Sequence, residues 1–147
     1  MKFFTELLNN KVLLCCVVSW FIAQLLKIFL TYRTSKKIDL TRLVGSGGMP
    51  SSHTSFVMAL ATSVGKISGW NSPIFAVSIC FAFVVMYDAA GVRRAAGNQA
   101  KILNLIIEDI FLHKPLQNEK LKELLGHTPK EVFAGALLGI IIANLII

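Results

Sequence analysis

The sequence predicts an all-α integral membrane protein, a helical bundle of about four transmembrane helices with an amphipathic helix at the membrane edge. Its 147 residues are enough for a single membrane domain, residues 1–147, and no more. The chain is 54% hydrophobic and only 16% charged, whereas soluble domains average about 45–50% apolar and about 25% charged residues. The apolar residues also form runs that approach the ~20 residues a helix needs to cross the hydrocarbon core.

Four segments are predicted to span the membrane: residues 11–31, 52–68, 72–88 and 129–147. The basic residues that follow the first segment indicate a stop-transfer sequence rather than a cleaved signal peptide. The second segment is the weakest span, because Lys66 lies near its end. Gly69 and Pro73 interrupt any continuous helix between the second and third segments, which predicts a hairpin there.

The formal net charge of +7 is concentrated in two loops between the predicted spans. Residues 32–51 and 89–128 fall on the same side of a four-span protein and hold most of the lysines and arginines. The positive-inside rule therefore places both loops in the cytoplasm and both termini outside. No recognisable nucleic-acid-binding motif accompanies this charge, so we expect no nucleic-acid partner.

The second loop contains a predicted amphipathic helix. From Val92 to Phe111 the apolar residues recur at helical spacing, with charged and amide side chains on the other side. This pattern is typical of a helix that lies against the membrane or against the bundle. Residues 113–126 are polar and predict a short connector with a helical turn.

One polar cluster that topology does not explain lies just before the second span, in the segment GSGGMPSSHT at residues 45–54. Gly48 permits a backbone with exposed N–H groups, and a helix that starts near Ser51 or Ser52 would direct further N–H groups at an anion. A flexible loop with a serine N-cap explains the same residues. His53 is ambiguous by itself.

A second cluster follows the third span and contains Asp88, Arg93 and Arg94. Paired arginines at a membrane edge are commonly topological anchors. Guanidinium groups near a carboxylate also match phosphate oxygens in a fork. Asp88 could serve a metal or only an arginine.

A third cluster precedes the fourth span, in the segment GHTPKE. His127 and Glu131 are four residues apart and share a face if they are helical. A carboxylate beside an imidazole holds the tautomer that a nucleophilic or acid–base histidine needs. The alternative is an ordinary helix start, with Pro129 in the first turn and Glu131 facing the helix dipole.

All three clusters fall at the same face of the membrane, where a bundle could bring them together. Histidines, arginines, a glycine and serine anion site and a carboxylate are suited to transferring a phosphoryl group through histidine. The three cysteines lie inside apolar segments, at a spacing that fits no zinc site. The three clusters also offer cations and histidines but no obvious group of carboxylates, so we expect no metal and no other cofactor.

The segments GGMPSSH, YDAAGVRRAAGNQA and LGHTPKEVFAGALLG resemble the divergent membrane branch of the phosphatidic acid phosphatase type 2 superfamily. That branch is related to acid phosphatases and vanadium-dependent haloperoxidases. By this resemblance Ser51 is a phosphate contact, His53 the general acid, His127 the nucleophile and Glu131 the residue that orients it.

The resemblance also assigns the phosphate-binding arginine to Arg93 or Arg94, although about thirty residues separate these from His127. Ser52 stands where the superfamily has glycine. The superfamily's first motif is missing, and Lys27 and Arg33 are only approximate substitutes for its cations. Lys27, Gly48 and Ser52 are further candidate phosphate contacts.

The resemblance implies a membrane phosphatase that hydrolyses a lipid phosphate or diphosphate through a phosphohistidine. Its partners would be the lipid phosphate substrate and membrane lipids, with a homo-oligomer left open. We expect the protein in a bacterial cytoplasmic membrane, with the site facing the cytoplasm as the charge distribution indicates. Two alternatives remain: a degenerate protein that binds a lipid headgroup without hydrolysing it, and a small transporter or assembly subunit with Lys27 lining a path.

The charge distribution predicts the topology directly. Single cysteines introduced at Ser35 and Asn118 should resist an impermeant thiol reagent added outside intact cells and react after permeabilisation. The parent chain, whose own cysteines lie in apolar segments, is the control. Labelling of both positions from outside would show the opposite orientation, and labelling of only one would contradict the four-span topology.

Overall fold

The computed structural model describes residues 2–36, 48–110 and 126–147. Within those ranges the regular structure is entirely helical, and the predicted all-α membrane bundle is confirmed. The helices are α1 Lys2–Leu8, α2 Lys11–Ser35, α3 Ser52–Ser68, α4 Pro73–Ala90, α5 Val92–Ile110 and α6 Pro129–Ile146. The predicted polar connector at 113–126 lies outside the described residues except for its last position.

Among the described residues, three stretches are long and apolar enough to cross a membrane: Lys11–Arg33, Pro73–Ile107 and Pro129–Ile146. The second of these begins with α4 and continues into α5. The remaining predicted span, α3, has 17 residues, which rise only about 25 Å at 1.5 Å per residue. That length is somewhat short of a hydrocarbon core of ~30 Å.

The central position of α3 explains why it can be short and polar. It packs against α2, α4 and α6, and most of its buried side chains are small or carry a hydroxyl: Ser52, Thr54, Ser55, Val57, Ala59, Ala61, Thr62, Ser63 and Gly65. Small residues are typical of helix interfaces in membranes, because they let two backbones approach closely. The other helices therefore shield most of α3 from lipid, although His53 and Ile67 on this helix are exposed.

The register between α2 and α3 is set by polar contacts. The Ser19 hydroxyl lies 2.5 Å from that of Ser55, and Lys27 Nζ donates to Ser52 Oγ at 3.1 Å. Because the residue numbers rise along α2 as they fall along α3, the two helices are antiparallel. The carboxyl end of α2 thus lies beside the amino end of α3.

A close backbone contact joins α3 to α6 in a parallel arrangement. A Cβ atom at Gly135 would collide with the backbone oxygen of Ser51, and one at Gly139 with that of Ser55. These glycines form a G-x-x-x-G sequence, which places backbone against backbone. The amino ends of α3 and α6 are therefore neighbours.

The predicted hairpin between α3 and α4 is present. Gly69 ends α3 with φ of +89°, and the Ser72 hydroxyl caps α4 by accepting from Phe75 N at 3.3 Å. Trp70 folds back over Gly65 and meets Phe75 edge to face, with ring centroids 5.1 Å apart. An amphipathic tryptophan suits the membrane interface at this end of the bundle.

The amphipathic helix predicted at 92–111 is α5, Val92–Ile110. Among the helices that the structure describes, α5 contacts α4 alone. Its buried residues include Gly97 and Ala100, whereas Ile102, Leu103 and Ile106 are exposed. Outward-facing apolar side chains favour the membrane over the bundle as the surface that α5 faces.

The α3–α6 contact predicts a steric test. Gly139→Leu should force the two helices apart and destabilise the fold, because an overpacked interface costs about 1–3 kcal/mol or more. The exposed residue Leu137 provides the matched control, Leu137→Val, on the same helix. Thermal unfolding in detergent should show a clearly lower Tm for Gly139→Leu alone. Equal Tm values for the two variants would contradict the close contact.

Candidate functional site

Backbone hydrogen bonds join the three polar clusters at one end of the bundle. Ser51 N donates to Glu131 O at 2.9 Å, which ties the start of α3 to the first turn of α6. His127 N donates to Ala89 O at 2.9 Å, which ties the segment before α6 to the end of α4. The structure therefore brings together segments that are separated by up to about eighty residues in the sequence.

Two helix N-termini lie side by side at this end. Ser51 is the N-cap of α3 and accepts from Thr54 N, and Thr128 is the N-cap of α6 and accepts from Glu131 N. The amino end of each helix carries about half a positive charge from the aligned peptide dipoles. The pair creates a positive potential that favours an anion between or above the helices.

The buried imidazole of His127 contacts the half-buried carboxylate of Glu131 at the start of α6. His127 is only 2% exposed, and its Nδ1 lies 3.1 Å from Glu131 Oε2. With the carboxylate ionised, Nδ1 carries the proton and Nε2 carries the lone pair. The contact that the spacing of the two residues predicts is therefore present.

The alternative explanation for Glu131, an ordinary helix start, is also correct. The same Oε2 atom accepts from Thr128 N at 3.0 Å, and Glu131 N donates to Thr128 Oγ1 at 3.4 Å. These two bonds form a complete capping box. One carboxylate thus caps α6 and holds the imidazole of His127.

Thr128 is a residue of this site that the sequence reasoning missed. It anchors the carboxylate that orients His127, although Thr128 itself is exposed. The pattern Thr-x-x-Glu at residues 128–131, placed just before an apolar run, is the sequence signal that could have identified it.

Lys27 reaches the site from α2. It is 2% exposed, and its Nζ donates to Ser52 Oγ at 3.1 Å. Gly48, with φ of +86°, passes over the aliphatic part of this side chain, and a Cβ there would lie 3.9 Å from Lys27 Cγ and Cδ. A lysine buried in a membrane helix is costly, which makes it a candidate for function.

His53 faces a different environment from its neighbours Ser51 and Ser52. It is exposed and lines a groove of about 400 Å³ between α2, α3 and α4. The other residues lining the groove are all apolar: Val17, Trp20, Phe56, Val57, Phe81 and Val85. The side of α3 that meets α6 carries the side chains of Thr54 and Met58. His53 therefore lies on the side of α3 that is turned away from α6.

For the remaining candidate residues the structure gives a position in a helix. Asp88 is half-buried in the last turns of α4, and Arg33 is exposed near the end of α2. Arg93 and Arg94 lie in the first turn of α5, but their side chains, like Gly45 and Gly47, lie outside what the structure describes. Their contact with phosphate stays a prediction.

The donor set of the site suits an anion. It consists of an ammonium group, serine hydroxyls and two helix N-termini, all of which are hydrogen-bond donors to phosphate oxygens. Within residues 2–36, 48–110 and 126–147, no three His, Cys, Asp or Glu side chains gather as a metal site would require. The expected independence from metal stays a prediction about the reaction.

Comparison with known proteins gives one family and one curated relative. A family model described as "Divergent PAP2 family" matches residues 8–142, a range that contains every candidate residue above. The "Uncharacterized membrane protein YuiD" of Bacillus subtilis (strain 168) is 42% identical over 148 residues, which cover 93% of this chain and 94% of that protein. No solved structure matches the chain.

The capping box predicts a measurable role for Thr128. Thr128→Ala should lower the free energy of unfolding by about 1 kcal/mol, because an N-cap hydroxyl is lost. Thr128→Ser retains a hydroxyl and should restore most of that stability. Thermal or denaturant unfolding of the purified variants provides the comparison. Equal stability of the alanine and serine variants would show that the hydroxyl does not hold the start of α6.

Proposed function

The chain belongs to the divergent PAP2 family, and we propose that it is a membrane phosphatase for a lipid phosphate or diphosphate. The proposed reaction passes through a phosphohistidine on His127 and uses no metal ion and no other cofactor. The observation that carries this proposal is the contact of the buried His127 with Glu131, placed where α3 and α6 begin. Isoprenoid diphosphate, phosphatidic acid and phosphatidylglycerophosphate all fit a site defined by its phosphate contacts.

The phosphoryl group is held by donors from three helices. Ser51 and Ser52 supply the amino end of α3, and Lys27 supplies a positive charge beside Ser52. The N–H groups near Gly48 add further donors, and Arg93 and Arg94 are the proposed guanidinium contacts from α5. Preorganised donors of this kind stabilise the charge of the transition state without a metal.

The first step transfers the phosphoryl group to His127. Its Nε2 lone pair attacks phosphorus, and the N–P bond forms as the bond from phosphorus to the lipid oxygen breaks. Glu131 holds the Nδ1 proton of the same ring, which fixes the reactive tautomer. His53 donates a proton to the departing lipid oxygen, so that a neutral alcohol or a protonated phosphate leaves.

The second step restores the enzyme. His53, now neutral, accepts a proton from a water molecule whose oxygen attacks phosphorus. The N–P bond breaks, inorganic phosphate is released, and the Nε2 lone pair of His127 is regenerated. The same histidine thus acts first as acid and then as base, as microscopic reversibility favours.

The placement of the two histidines supports an in-line displacement. Nucleophile and leaving group must approach phosphorus from opposite sides. His127 lies at the start of α6, whereas His53 lies on the face of α3 that is turned away from α6 and lines an apolar groove. A lipid leaving group on the groove side would therefore lie next to the acid.

The chain is an integral membrane protein, and its orientation follows from the proposal and the charge bias together. We propose that the site opens at the cytoplasmic side of a bacterial cytoplasmic membrane. The basic residues of the two loops on that side would also attract anionic headgroups toward the site.

Rapid-quench trapping of the phosphoenzyme tests the mechanism. Wild-type protein mixed with a phosphate-labelled lipid phosphate in the presence of a chelator should acquire acid-labile, base-stable label. His127→Ala should acquire none. His53→Ala should turn over about 10²–10⁴-fold more slowly, because it lacks general acid–base catalysis, yet should still form the phosphoenzyme from a substrate with a good leaving group.

His113→Ala provides the matched control, because His113 is the remaining one of the three histidines and has no role in the mechanism. It should label as the wild type does. Label retained by His127→Ala would refute the assignment of the nucleophile. Binding of the lipid without label or phosphate release would instead favour the degenerate headgroup-binding protein, and activity restored only by magnesium would refute metal independence.

A further inference from the structure

We propose that the groove between α2, α3 and α4 binds one hydrocarbon chain of the lipid phosphate, which reaches the site sideways from the bilayer. This inference rests on the proposed function and adds to it a site that nothing above assigns: the place where the apolar part of the substrate binds. The groove has a volume of about 400 Å³, within the range of small-molecule sites.

The chemistry of the groove matches an amphiphile. Its lining is apolar except for His53, which lies in the first turn of α3. Phe56 and Val57 lie about one turn deeper, or roughly 5–6 Å along the helix axis. The polar end of the groove is thus the end next to Ser52, which is bonded to Lys27. A lipid phosphate has the same sequence of polar and apolar parts.

The direction in which the groove opens favours a lipid chain as its occupant. Trp20 and Phe81 line the groove and are exposed, so its mouth is on the outer surface of the bundle, where hydrocarbon chains surround a membrane protein. His53 and Ser52 are adjacent in the chain but face different sides of α3. A lipid with its chain in the groove can therefore place its phosphate above the amino end of α3 without crossing the helix packing.

The fluorescence of Trp20 can report whether a lipid chain occupies the groove, and this measurement does not depend on catalysis. The chain has two tryptophans, and Trp70→Phe leaves Trp20, in the groove, as the only one. Phosphatidic acid brominated in its chain, added at low mole fraction to protein in detergent, should quench Trp20 fluorescence along a saturable curve. Unbrominated phosphatidic acid should reverse the quenching by competition.

Neighbouring valines on α4 give a matched pair of variants in this background. Val85 lines the groove, whereas Val84 is 67% exposed and does not line it. Val85→Phe should fill the groove and weaken saturable quenching about 10-fold or more, and it should raise KM for the long-chain substrate. Val84→Phe should behave as its parent does. Phe81→Ala, which removes one wall rather than filling the space, should also weaken quenching.

The outcomes separate this inference from the proposed function. Saturable quenching that Val85→Phe weakens, with no phosphohistidine in the wild type, would support the groove and refute the phosphatase. Phosphohistidine formation with quenching that is unsaturable, or equal in Val85→Phe and Val84→Phe, would overturn the groove. A change of oligomeric state in Val85→Phe with unchanged quenching would also overturn it, because the groove would then be a contact between copies.

Discussion

The close packing of α3 on α6 is the contact on which the rest of the structure depends. Gly135 and Gly139 present no side chain, so the backbone of α6 lies directly against that of α3. In a membrane there is little hydrophobic driving force between helices, and close packing of small residues is a principal source of their association. This contact aligns the two amino ends, and Ser51 N can then bond to Glu131 O.

From that alignment follows the polarity of the whole bundle. Parallel α3 and α6, with antiparallel α2 beside α3, collect two helix amino ends and the end of α2 on one side of the membrane. The dipoles of α3 and α6, whose amino ends lie there, add to the charge of Lys27. The bundle therefore has one end suited to anions and another end closed by the compact hairpin around Gly69 and Trp70.

The buried polar residues show how a small membrane protein accommodates groups that lipid would not tolerate. Unbonded polar groups in hydrocarbon cost several kcal/mol each. Most of the buried polar side chains lie on α3, contact it from α2, or lie at the polar end of the bundle. Glu131 illustrates the economy of this arrangement, because a single carboxylate oxygen caps α6 and holds His127. A structural explanation and a functional one do not compete at this residue.

By itself the sequence determined the membrane class, the helical segments, the amphipathic helix α5 and the spacing that pairs His127 with Glu131, because each depends on patterns within a few turns of chain. Only the tertiary structure decided that Lys27 meets Ser52, that His53 faces an apolar groove and that Gly135 and Gly139 define an interface. Those outcomes depend on how two distant helices slide and rotate against each other. The G-x-x-x-G sequence marks a face of α6 suited to close packing, but no pattern along a single helix specifies which partner lies against that face or at which register.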